Sequence, residues 1–214
     1  MNDRVGTSLF DRAKGALGAA GTCHLTWYFF EVANAALWLP GNAQSVEERL
    51  ALVLDGSRSK ILEFQYLRSI SGDDFARSAN EAVLRNVAGV ANDAELLERL
   101  GRFNALFRDV GEGDRYELAW QVGKGGDGWG KDGGKGRSDC DSGGSGGGGG
   151  GCEGAASLAY NGTVLGEVRG DARFGHAIFT IWFGSQPFME QLKTDLLSGV
   201  EGVVHDDREG ENKM

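Results

Sequence analysis

The chain has 214 residues, a formal net charge of -9 at pH 7 and 36 glycines. An acidic surface of this kind argues against nucleic acid or anionic membrane as the main partner, and no apolar run approaches the ~20 residues of a membrane span. Nearly half of the glycines lie between Gly123 and Gly154; without that tract about 180 residues of ordinary composition remain, enough for one well-buried core.

Residues 1–17 read as an N-terminal tail. Arg4, Arg12 and Lys14 are interspersed with Asp3 and Asp11, and the stretch lacks the apolar centre of a secretory signal. The cytoplasm is therefore favoured, with an organelle-targeting peptide left open. Cys23–Val32 is aromatic and β-branched enough for a strand covered on both faces, and Ala35–Leu39 continues it as a second short run ending at Pro40-Gly41. Asn42–Leu52 is polar and fits a loop or a short helix. Lys60–Leu67 alternates, with Leu62, Phe64 and Tyr66 on one face and Glu63 and Gln65 on the other.

Ser71 followed by Asp73 and Asp74 reads as an N-cap with an acidic first turn. Phe75, Ala79, Ala82, Val83 and Val87 then mark a helix with one buried stripe. Asn92-Asp93 opens another helix, with Leu96, Leu100, Phe103 and Phe107 inward. Tyr116–Val122 is a strand whose Tyr116, Leu118, Trp120 and Val122 share a face. A Gly-rich insert over 123–155 interrupts the chain and is expected to be disordered, because it has almost no apolar side chains to bury.

Leu158–Tyr160 and Thr163–Val168 form a hairpin around Asn161-Gly162, a pair suited to a type I′ turn because both positions need φ > 0. Phe174, Ala177, Ile178, Ile181 and Trp182 recur at helical spacing, Gly184 stands where a C-terminal glycine cap belongs, and Pro187 fits the first turn of a further helix. Residues 201–214 read as an acidic tail. Strands and helices in segregated blocks indicate an α+β fold with an antiparallel sheet.

Chemistry-bearing motifs are sparse. Cys23, Cys140 and Cys152 read as free thiols rather than a disulfide framework. The lysines of the insert sit in no P-loop frame, and Asn161-Gly162-Thr163 reads as a turn before it reads as a glycosylation sequon. His24 and His176 stand as isolated candidates for acid–base work, with a structural role favoured for His176 on its apolar helix. No cofactor or metal is expected.

Four segments together, LEFQYLRSISGDDFARSA (62–79), FNALFRDVGEGD (103–114), YNGTVLG (160–166) and FGHAIFTIWFG (174–184), resemble the chalcone isomerase-like family, in particular its short bacterial-type members. The resemblance covers about residues 18–198 apart from the insert, and it places the domain at 18–200. It implies an open-faced β-sandwich, a large antiparallel sheet with a layer of helices on one face. That family holds plant enzymes that close the flavanone ring, plastid members that hold a long-chain carboxylate in the equivalent cleft, and many members without a settled activity. In the enzymes an Arg precedes the first long strand, a Thr lies on it, and a Tyr and an Asn open the first long helix, all serving a developing negative charge. Carried over by position, the Thr falls at about Ala33, the Tyr at Phe75 and the Asn at about Ala82. The Arg falls in the 18–22 stretch, which has none. Thr22 and Asn34 are the nearest polar side chains, and Thr180 is added as a cleft position. The sequence departs from the catalytic pattern at each of these, so the resemblance implies a domain without cyclisation activity that binds a small apolar or fatty-acid-like ligand. The alternative is an active intramolecular lyase on a flavonoid-like or other enone substrate. Oligomeric state is not legible.

Overall fold

A computed structural model describes residue 10 and residues 14–27, 29–123 and 153–199, with Trp27 described in its backbone alone. Six strands form one sheet, β1 (Gly18–Trp27), β2 (Phe30–Leu39), β3 (Lys60–Tyr66), β4 (Arg115–Val122), β5 (Glu153–Tyr160) and β6 (Thr163–Asp171). Every neighbour pair is antiparallel and the spatial order is the sequence order. Among the described residues five helices, α1 (Val46–Leu54), α2 (Gly72–Asn86), α3 (Ala94–Asn104), α4 (Ala172–Phe183) and α5 (Glu190–Ser198), with a short 3-10 turn at Val90–Asn92, cover one face. The α+β architecture expected from the sequence, a large antiparallel sheet with helices on one face, is the one observed.

Local chemistry explains most element ends. Ser45 and Glu48 form a reciprocal capping box that starts α1 and settles the reading of 42–52 in favour of a helix. Ser71, Asp93 and Asp171 accept from the backbone N–H of Asp74, Leu96 and Phe174 at the starts of α2, α3 and α4. Asn161 and Gly162 both have positive φ, 49° and 77°, as the β5–β6 turn requires. α4 is the hub of the helical layer: it packs against the other four helices and against β5 and β6. Phe174, Ala177, Ile178, Phe179, Ile181 and Phe183 are all buried on it. At the sheet's other end α5 lies directly on β1. An ideal Cβ on Gly21 would stand 2.1 Å from the Leu196 carbonyl oxygen, so only glycine permits this approach.

Five expectations need correction. The supposed single strand Cys23–Val32 is the end of β1 and the start of β2, since Trp27 pairs with Phe30. Its composition suits both strands, and no Gly, Pro or Asn marks the reversal. Gly184 is the C-cap of α4 as expected, its N–H donating to the Thr180 carbonyl, and only the geometry needs correcting, since φ -63° and ψ -178° are extended rather than left-handed; a Cβ there would meet the Asn86 side chain at 2.3 Å and the Thr180 carbonyl oxygen at 2.6 Å. Pro187 precedes α5, which starts at Glu190. The insert is shorter than 123–155 at its far end, since Glu153–Ala155 belong to β5 and Val122 pairs with Gly154. The remainder of the insert and the acidic tail lie outside the described residues.

The fifth concerns the N-terminal tail. Phe10 is buried against Ile61, Ala119 and Ala159 on the sheet face away from the helices, with Leu17 and Trp38 alongside. On that same face Lys14 Nζ donates to Glu63 Oε2 at 2.6 Å and to Glu117 Oε1 at 2.8 Å. Burial pulls the Lys14 pKa down, but hydrogen bonds to Glu117 and Glu63 outweigh it and the net shift is upward. This part of the expected tail is a working piece of the domain.

Candidate functional site

Between the sheet and α2, α4 and α5 lies a cavity of about 400 Å³. The alternation of β3 builds its floor: Phe64 and Tyr66 point inward, and Arg68 continues the same parity just past the strand end. Ala33 on β2 and Tyr116 and Leu118 on β4 extend the floor. Phe75 and Ala79 of α2, Ile181 and Trp182 of α4 and Leu192 of α5 supply the roof.

Aromatic rings hold the wall together. Phe75 stacks on Phe107 at 5.5 Å between centroids and meets Tyr66 edge-on at 5.4 Å. Trp182 lies 5.8 Å from Phe64. Such edge-to-face and offset pairs favour one arrangement of rings over others. Tyr116 is fixed further by its hydroxyl, which accepts from Arg108 N–H at 2.7 Å and donates to the Arg108 carbonyl at 2.8 Å.

Tyr66 differs. It is 5% exposed, it lines the cavity, and its hydroxyl has no hydrogen-bond partner among the described residues. Burial raises its pKa well above the ordinary phenol value, helped by nearby Tyr116, so the group is a neutral donor at physiological pH. A neutral phenol on the wall of an apolar cavity suits a ligand that carries one acceptor. Charge enters only at the mouth, where Arg68 and Asp74 stand with Ser69, Ser71 and Ser78. Asp74 is committed to Arg77, whereas Arg68 lies over the Phe30 ring at 5.4 Å.

Of the candidate positions, the structure brings Ala33 and Phe75 together at this cavity. Thr22 and Asn34 lie at outward positions of β1 and β2, on the sheet face away from the helices. There the Asn34 carboxamide oxygen lies 2.7 Å from His24 Nδ1. Ala82 is buried within the α2 packing, and Thr180 is buried with its hydroxyl donating to the Ala177 carbonyl at 2.7 Å; neither lines the cavity. His176 places Nδ1 2.7 Å from the Leu54 carbonyl at the end of α1, a structural contact, and it is far along the helix layer from His24 on the outer face. The sequence reading missed Tyr66 and Arg68 as site residues. The available signal was the period-2 series Leu62, Phe64, Tyr66, Arg68, which places a cation on the helix-facing parity of a strand. Among the described residues no cluster of three or more His, Cys, Asp or Glu could hold a metal ion.

No family model and no curated protein matches the chain. Among solved structures, the crystal structure of a fatty-acid binding protein from Arabidopsis thaliana is similar, with a TM-score of 0.51, 14% identity, and coverage of 85% of this chain and 87% of that one. A likeness at that identity speaks for the shared fold, an open antiparallel sheet with one helical layer.

Proposed function

We propose that this chain binds a small apolar or amphipathic molecule, fatty-acid-like in chemistry, without transforming it. The observation that carries the reading is the apolar cavity with a neutral phenol, Tyr66, on its wall and one cation, Arg68, at its mouth. A volume of about 400 Å³ lies within the ordinary range for small-molecule sites, roughly 300–1,000 Å³. The similar Arabidopsis protein, a fatty-acid binding protein by description, supports the choice of ligand class. The cavity lining contains no threonine, lysine or histidine. The Arg68 guanidinium stands at the rim, so a reacting enone inside the cavity has Tyr66 as its polar partner and lacks the converging set of donors that charge stabilisation needs.

The test is titration with a fluorescent fatty-acid analogue, followed by displacement with unlabelled fatty acids. Tyr66→Phe keeps the ring and removes the donor, and should weaken binding roughly 2- to 12-fold, the effect of one neutral hydrogen bond at about 0.5–1.5 kcal/mol. Native mass spectrometry of protein purified from cells should show a bound mass that organic extraction removes. If the analogue fails to bind and no small molecule accompanies the protein, the reading is wrong.

A further inference from the structure

The β1–β2 hairpin ends in residues that the fold itself does not explain. At the β5–β6 turn the chain uses Asn161-Gly162, the expected turn chemistry. At β1–β2 it presents Phe29 and Phe30, which are 97% and 62% exposed. Phe188, between α4 and α5, is 43% exposed. Among the described residues these are the only phenylalanines that stand out as exposed hydrophobic side chains.

All three gather at one end of the molecule, and it is the cavity's end. Phe188 lines the cavity directly. Phe30 lies beneath Arg68, which also lines it, and Val32, two residues along β2, does the same. The apolar lining thus continues out through the mouth onto the surface and finishes in a cation.

We infer that this aromatic rim docks onto a phospholipid surface, from which an apolar ligand enters the cavity without crossing water. The inference rests on the ligand-binding reading of the cavity. Aromatic side chains favour the headgroup level of a bilayer, and a guanidinium beside them matches a lipid phosphate. The net charge of -9 selects the kind of surface: a zwitterionic one accepts the rim, an anionic one repels the remainder of the protein. Contact is peripheral, since no helix among the described residues is long and apolar enough to cross a membrane. The expectation of no membrane partner rests on overall charge, an argument that bears on anionic surfaces, and the proposed docking departs from it.

Co-sedimentation with vesicles of pure phosphatidylcholine tests this. The protein should sediment with them, and phosphatidylglycerol vesicles at low salt should hold it less well. Phe29→Ser combined with Phe30→Ser should lower the partition coefficient roughly a hundredfold, about tenfold for each ring taken out of the interface. Phe29→Ser alone should bind a soluble fluorescent fatty-acid analogue in vesicle-free buffer as tightly as the parent, because Phe29 does not line the cavity and Phe30, which carries Arg68, is left in place. An unchanged thermal melt establishes that the double variant folds. The inference is overturned if the parent ignores the vesicles or if the double variant sediments equally well. It is overturned too if the rim instead joins two copies of the chain, seen as a dimer by analytical ultracentrifugation that the double variant splits while vesicles stay unbound. If vesicles are bound through the rim and the analogue binds nowhere, the docking surface stands and the cavity reading fails.

Discussion

Lys60 is fully buried, with Nζ donating to the Asp55 carbonyl at 2.6 Å and lying 4.9 Å from the centre of the Phe179 ring. Burial pushes its pKa from 10.5 down to about 7, with the negative charge of Asp55 opposing. The folded state therefore binds fewer protons than the unfolded state between those two values. Stability must rise with pH across that window: the cost of the buried charge is present in full below about pH 7 and disappears toward pH 10.5. Integrating the two titrations from pH 7 to 8.5 gives a gain on the order of 1–2 kcal/mol, at roughly 1.4 kcal/mol per pKa unit. The upper limit of the useful range is set by other groups. Burial raises the Cys23 thiol to about 12, and Tyr66 and Tyr116 are raised as well, so the unfolded chain loses those protons first and stability falls again above about pH 9. Urea unfolding followed by tryptophan fluorescence at pH 7.0, 7.5, 8.0 and 8.5 measures the slope. Lys60→Met keeps much of the side-chain volume, removes the titration and should flatten the profile. A parent profile already flat over this range, or an equal slope in the variant, would refute the argument.

Two further outcomes follow from the placement of α4 and of the cavity lining. Phe179→Ala, at a fully buried position, should cost about 3–5 kcal/mol in chemical denaturation, whereas Trp182→Ala, at the half-buried cavity wall, should cost less and enlarge the ligand site; equal costs would place Trp182 in the core instead. The protein should not speed cyclisation of a 2′-hydroxychalcone by more than about tenfold over the spontaneous rate, ~1.4 kcal/mol of barrier, and turnover at catalytic protein concentration would overturn the non-catalytic reading.

What could be read from sequence followed the strength of local signals. β3, β4, α2, α3 and the Asn161-Gly162 hairpin carry period-2 or helical apolar patterns with turn or capping residues at their ends, and each was found near its expected limits. β1 and β2 merged in the reading because Trp27-Tyr28-Phe29-Phe30 carries no residue that favours a reversal; propensity alone does not register a turn without turn residues. Among site residues, Phe75 sits on the apolar stripe of α2 that the sequence marks, whereas Ala33 lay between two expected runs and reached the cavity through the resemblance alone. Thr22 and Asn34, named as the nearest polar side chains, went to the opposite face by plain strand alternation: Asn34 follows inward-facing Ala33 on β2, and Thr22 precedes inward-facing Cys23 on β1. Tyr66 and Arg68 escaped notice for a different reason. Only three-dimensional packing shows which side chains of an inward strand face line a cavity and which fill the core.

Glu63 and Glu117 are direct cross-strand partners of β3 and β4, an arrangement in which like charges repel. Lys14 reconciles them from a segment that precedes the first strand. The practical boundary of the domain is therefore set by electrostatics rather than by secondary structure. An expression plasmid trimmed to begin at Gly18, as the strand pattern invites, would leave the two adjacent carboxylates with Arg115, 3.7 Å from Glu63 and half exposed, in place of the close Lys14 contacts, and would uncover Ile61, Ala119 and Ala159, turning a closed surface into an adhesive one. Anyone cutting this protein down for crystallisation or labelling should keep the chain from Phe10 onward and attach tags upstream of it.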